Sequence, residues 1–123
     1  MTDSIAGFFD AWCVEDANLR LSEIRGCVTE EVTYADPRTP QPINGVAALD
    51  AYVGMFSANA PGWTAKVVRT DTIADVTRVT VAFGGNGPDG TEQIQLGQYF
   101  VEKDGDLVSR IVGFVGTGEL NRD

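Results

Sequence analysis

The chain has 123 residues, 43% of them apolar, which is enough for a core, since a chain of this length buries about two-thirds of its unfolded surface. Its net charge is −9 and its nine Lys and Arg are dispersed, so the clustered cations that nucleic acid requires are missing. Histidine is absent, the two cysteines have no CxxC spacing, and no apolar run approaches the ~20 residues that span a bilayer, which argues against a zinc or haem site and against a membrane protein.

The opening MTDSIAGFFDAW has no basic n-region and carries acids through its apolar run, so a cytoplasmic protein is expected rather than a secreted one. Thr2, Asp3 and Ser4 are all suitable N-caps for a first helix. Its residues Ile5, Phe8, Phe9, Trp12 and Cys13 then recur at helical spacing. A second helix is expected from Asp16, with Ala17, Leu21, Ile24, Cys27 and Val28 on one side and Glu15, Arg20, Glu23 and Arg25 on the other. Gly26 marks where it ends or loosens. Both Cys13 and Cys27 thus fall in helical segments.

Val32-Thr33-Tyr34-Ala35 is β-branched and aromatic, and it runs into Asp36-Pro37, where proline enforces an extended approach and withholds a ladder hydrogen bond. A short strand leaving the sheet is expected there. After two further prolines, Asn44-Gly45 introduces a third helix with the stripe Val46, Leu49, Tyr52, Val53 and Phe56, stopped by Pro61-Gly62. From Trp63 the apolar period changes to two, predicting strands over 63–72, 76–84, 92–103 and 107–115. Asp104-Gly105 is a strong hairpin signal between the last two. Helices followed by an antiparallel meander indicate one α+β domain over residues 1–123, with residues 121–123 as a frayed tail.

That order carries a V-x-Y-x-D-P strand exit at Val32 to Pro37, a G-x-x-A-L-x-x-Y helix from Gly45 to Tyr52 and a terminal strand reading SRIVGF. Together these resemble the SnoaL-like polyketide cyclase group of the nuclear transport factor 2-like superfamily, over nearly the entire chain. The resemblance implies a cystatin-like fold, with N-terminal helices packed on a curved antiparallel sheet around a cone-shaped pocket. It further implies a homodimer formed through the outer face of the sheet. Ketosteroid isomerase belongs to the same superfamily, and its base precedes a proline at a strand exit, as Asp36 does here. The tyrosine of that family falls near Phe8 or Trp12 and its second acid near Gly97, Gln98 or Tyr99, so neither partner is present in kind.

Asp36 is the leading reactive residue, because a carboxylate desolvated in an apolar pocket holds a proton more readily and can serve as a general base. The competing reading is an Asp that opens a turn before proline and binds local amides. Tyr34 shares its face if the strand alternates. Gln98 lies on one strand face with Ile94, Leu96 and Phe100, and an amide amid apolar neighbours facing a cavity can orient a carbonyl. The other face, Gln93, Gln95, Gly97, Tyr99 and Val101, is more polar and suits the outer surface, although Tyr99 stays a candidate to steady an oxyanion. Phe8, Trp12, Tyr52, Phe56, Trp63, Phe83, Phe100 and Phe114 are the candidates to line a ligand site, most such aromatics being core in any case. The glycine-rich stretch at 84–90 lacks a phosphate-loop pattern and reads as a hairpin.

Three functions fit these residues. The first is a cofactor-independent isomerase, cyclase or dehydratase that moves a proton on an apolar carbonyl compound. The second is a non-catalytic module that binds a hydrophobic metabolite. The third is a scaffold domain that dimerises through its sheet.

Overall fold

The computed structural model describes residues 3–60, 62–87 and 89–116. Thr2, Pro61, Pro88 and the tail at 121–123, each given a part in the sequence reading, lie outside them. Helix α1 (Ser4–Asp10) is capped by Asp3, whose carboxylate accepts the Ile5 N–H at 2.9 Å, and it tightens into a 3-10 turn at Ala11–Cys13. Asp16 caps α2 (Ala17–Arg25) by accepting the N–H groups of Asn18 and Leu19 at 2.9 and 3.0 Å. The expected α2 was too long. It stops at Gly26, and Cys27 with Val28 passes into β1 (Val28–Ala35), the Cys27 carbonyl accepting the Val108 N–H at 2.9 Å.

A two-residue strand β2 (Ile43–Asn44) precedes α3 (Val46–Asn59). The meander follows as β3 (Thr64–Ile73), β4 (Val76–Asn86), β5 (Glu92–Asp104) and β6 (Leu107–Val115). The β3–β4 connection is a two-residue turn at Ala74 and Asp75, whose φ values of 48° and 69° match the right-handed twist of the strands it joins. Strand order is β2-β1-β6-β5-β4-β3. The expected all-antiparallel sheet is corrected at one place, since β1 pairs with β6 in parallel, Tyr34 opposite Ile111. Register shifts interrupt the β1–β6, β3–β4 and β5–β6 ladders, and such irregularities bend strands and help the sheet to curve.

The core lies between the helices and the concave face of this sheet. Phe8, Phe9, Ile24, Leu49 and Val53 from the helical layer meet Val32, Val79, Val81, Val101 and Ile111 from the strands, all at or below 1% exposure. Each such side chain stabilises the fold by about 1.5–3 kcal/mol relative to its exposed state. Arg20, placed by its spacing on the polar side of α2, is instead buried. Its guanidinium pairs with Asp50 of α3 at 3.0 Å, and Gly54 leaves the room it needs, because a Cβ there would stand 2.7 Å from the Arg20 Nη2. Among the described residues no helix is long and apolar enough to cross a membrane.

Candidate active site

Strand β1 delivers Tyr34 and then Asp36 to the same side of the sheet, two residues apart, as strand alternation requires. Tyr34 is fully buried and donates its hydroxyl to Asp36 Oδ2 at 2.7 Å. Tyr52, one face of α3, donates to the same oxygen at 2.5 Å. The other carboxylate oxygen has a different task. Oδ1 accepts the Arg38 N–H at 2.8 Å, while the Asp36 carbonyl accepts the Thr39 N–H at 3.1 Å, closing a tight turn over Pro37. The two sequence readings of Asp36 therefore divide between its two oxygens: Oδ1 holds the turn and Oδ2 meets the tyrosines.

Tyr99 of β5 completes the group. Its ring centroid lies 6.4 Å from that of Tyr34, whose own centroid is 5.3 Å from Tyr52. The chain has three tyrosines: two donate to the Asp36 carboxylate, and the third, Tyr99, stands against Tyr34. Burial, more than any charge, pushes all three phenols up. For Tyr34 the neighbouring Tyr99, once ionised in alkali, and then the charge of Asp36 add to it, and for Tyr52 the hydrogen bond to Asp36 does. Tyr99 is pushed up to about 12, with the Tyr34 hydroxyl working in the opposite direction. At neutral pH the three are hydrogen-bond donors, not anions.

Asp36, Tyr52 and Tyr99 stand at the wall of a cavity of about 480 Å³, with Tyr34 enclosed behind it. Trp12, Tyr52, Phe56, Trp63 and Phe83 line it, as the sequence suggested, together with Asp36 and Tyr99. Trp12 is the centre of the aromatic wall, with ring centroids 5.3 Å from Phe56, 5.7 Å from Phe83 and 6.2 Å from both Tyr34 and Tyr52. Two glycines make room for aromatic rings. A Cβ on Gly113 would lie 2.4 Å from the Tyr99 ring, and one on Gly85 would lie 2.5 Å from the Trp63 ring.

Three expected residues, Phe8, Gln98 and Phe100, sit elsewhere. Phe8, only 1% exposed, packs in the core behind Trp12 and does not line the cavity. Gln98 and Phe100 point to the outer, convex face, where Gln98 lies beside Arg69, Arg78 and Thr80. Phe114 does line the cavity, at its rim, while its register opposite Gln98 and its ring contact with Phe100 at 5.8 Å tie it to the outer face as well. The reason is one of parity. The apolar set Ile94, Leu96 and Phe100 is 37–63% exposed, and the set judged more polar puts Gly97, Tyr99 and Val101 inside. Sequence reasoning missed Arg38, Met55, Asn59 and Gln95 as lining residues; Met55, three residues after Tyr52, and Asn59, three after Phe56, could have been found from helical spacing. Among the described residues no group of His, Cys, Asp or Glu is arranged to hold a metal ion.

Other proteins share this frame. A protein of Agrobacterium tumefaciens provisionally assigned as an isomerase of the SnoaL-like family superposes with a TM-score of 0.76 at 21% identity, covering 93% of this chain and 95% of that one. A SnoaL-like protein of a Jannaschia species, provisionally assigned as a polyketide cyclase, gives 0.75 at 15% identity, covering 91% and 82%. A protein with a ketosteroid isomerase-like fold from Catenulispora acidiphila, solved with trimethylamine, gives 0.74 at 11% identity, covering 92% and 85%. At these identities the likeness is one of fold. No curated protein matches. The profile of the SnoaL-like domain matches residues 5–111, from α1 through the cavity-lining strands to Ile111 of β6, and the chain belongs to the SnoaL-like family.

Proposed function

We propose that this protein is a cofactor-independent enzyme that moves a proton on an apolar carbonyl compound, as an isomerase, cyclase or dehydratase does. One observation carries the reading: a half-buried carboxylate at the wall of an aromatic cavity, with two tyrosine hydroxyls on a single oxygen. Asp36 takes a proton alpha to the substrate carbonyl. Its negative charge then moves to the substrate oxygen as an enolate. Tyr34 is enclosed and keeps its place, whereas Tyr52 lines the cavity and can turn its hydroxyl from Asp36 towards the new charge. Tyr99, held protonated by its raised pKa, donates to the same oxygen. Donors that follow charge from base to substrate stabilise the transition state more than the ground state, which is what lowers a barrier. Gln98, on the other face, has no part in this.

The test is exchange of the alpha protons of β-tetralone in heavy water, followed by proton NMR. Wild-type protein should accelerate exchange over buffer, and Asp36→Asn should lose at least about 100-fold of that acceleration. Exchange by Asp36→Asn at the wild-type rate would remove Asp36 as the base. A second reading, a binding module for a hydrophobic metabolite, is favoured by the same geometry in one respect: Oδ2 already holds two hydroxyl protons. It predicts saturable binding of β-tetralone with no exchange above buffer.

The outer face supports a homodimer, and with it a scaffold role. Ile94, Leu96, Phe100, Phe114 and Val115 are exposed there or at its rim, and Phe100 packs on Phe114. Sedimentation equilibrium should give a dimer for wild type and a monomer for Phe100→Glu. Both thiols, Cys13 and Cys27, are free, in keeping with a reducing compartment such as the cytoplasm.

A further inference from the structure

The basic residues of this acidic chain are mostly committed. Arg20 pairs with Asp50, Arg69 and Arg78 with Asp71, Lys103 with Asp3 and Arg110 with Glu102. Arg38 has no such ion pair among the described residues, and it is the basic residue on the cavity wall. Its main chain is fixed, because its N–H is bound to Asp36 Oδ1 at 2.8 Å between Pro37 and the Thr39 anchor of the turn. Its side chain is exposed. Asp36 does not need its charge, since the carboxylate is already served by two hydroxyls and one amide.

Apart from Asp36, whose carboxylate is already engaged by Tyr34, Tyr52 and the Arg38 amide, the rest of the wall is neutral: aromatic rings, Met55 and Ala60, with Asn59 and Gln95 as the uncharged amides. The charge of Arg38 is nevertheless felt inside, where it works against the rise of both Tyr52 and Tyr99. An anion approaching a protein of net charge −9 is repelled unless a local cation receives it. A neutral ligand has no such need. A guanidinium meets a carboxylate with two parallel hydrogen bonds and sheds its hydration more readily than an ammonium, so Arg suits this task better than Lys.

We infer that the pocket takes an apolar ring compound bearing a carboxylate, its rings among Trp12, Phe56, Trp63 and Phe83 and its carboxylate on the Arg38 guanidinium at the mouth. This rests on the pocket being the ligand site, as proposed above. Arg38 is then the residue that selects the class of ligand, while Asp36 and the tyrosines act on the buried end.

Adamantane-1-carboxylate and its carboxamide share one apolar body and differ in charge, and neither absorbs where tryptophan does. The chain has two tryptophans, Trp12 and Trp63, and both line the cavity, so intrinsic fluorescence reports on occupancy. Wild-type protein at low salt should bind the carboxylate about tenfold more tightly than the amide, a preference that shrinks as salt is added. Arg38→Ala should bind both alike, and Arg38→Lys should keep part of the preference. Amide binding that equals carboxylate binding in wild type, or a preference that survives in Arg38→Ala, overturns the role of Arg38 and leaves the pocket standing. If neither compound changes the fluorescence or gives heat in calorimetry, the pocket reading falls and this inference falls with it.

Discussion

The two faces of β5 are built to opposite rules. Inward, Gly97, Tyr99 and Val101 are buried, and Tyr99 lies against Gly113 and within 4.9 Å of the Phe9 ring centroid. Outward, Ile94, Leu96 and Phe100 are exposed apolar residues beside Gln98. The face with more apolar side chains is the one that faces away from the core. The concave side receives its apolar bulk from the helices, so the strands there must supply space and a few anchored polar groups. A strand face can be buried because of what it omits.

The largest test of this contrast is truncation on either side of the strand. Phe9→Ala should cost about 3–5 kcal/mol in urea unfolding. Phe100→Ala should cost under about 1 kcal/mol in the monomer. An equal loss at Phe100 would mean that the outer face is covered in solution. Next in size is space itself: Gly113→Ala drives a methyl into the Tyr99 ring and should cost about 1–3 kcal/mol, whereas at Gly84 the nearest atoms would be 3.6 Å away and alanine should be tolerated.

The polar anchors come third. Tyr34→Phe leaves Asp36 Oδ2 with one hydroxyl donor fewer inside the fold and should cost about 1–3 kcal/mol, while Gln98→Ala on the outer face should stay within about 0.5 kcal/mol. Pairing Tyr34→Phe with Asp36→Asn in a double-mutant cycle should show non-additivity. The smallest effect at neutral pH grows only in alkali. A tyrosine held above its unfolded value of 10.0 stabilises the native state fully below that pH, and this is lost as pH rises through the folded value, which for Tyr99 is about 12. Phenolate absorbance should therefore appear together with unfolding in an alkaline titration. Ionisation of all three tyrosines near pH 10 with the fold intact would show that the site is wet.

Much of this frame was legible in the chain. Helical spacing found Trp12, Tyr52 and Phe56 for the cavity, the switch to a period of two found the meander, and Asp36-Pro37 marked the strand exit. What failed did so where meaning depends on distant partners. The parity of β5 was assigned by counting apolar residues, a rule that assumes one face meets a core and the other meets water. Arg20 was placed by its charge, because nothing local announces Asp50 thirty residues later. Parallel pairing of β1 with β6 joins segments at opposite ends of the chain, beyond any local pattern. The convergence of the tyrosines had one available signal, their scarcity: three in the chain, each on an element already assigned to the pocket or its sheet.

That parallel pairing also sets the order in which the molecule is completed. Strands β3 to β6 can form as successive hairpins from neighbours in sequence, but β1 finds its long partner only in the last strand. During synthesis, the segment ending in Asp36 waits through α3 and the whole meander before its edge is covered. Contacts closed across so long a loop form slowly. The Asp36 carboxylate is thus early in the message and late in the fold, and a chain arrested before β6 would carry Asp36 without a rigid place to hold it.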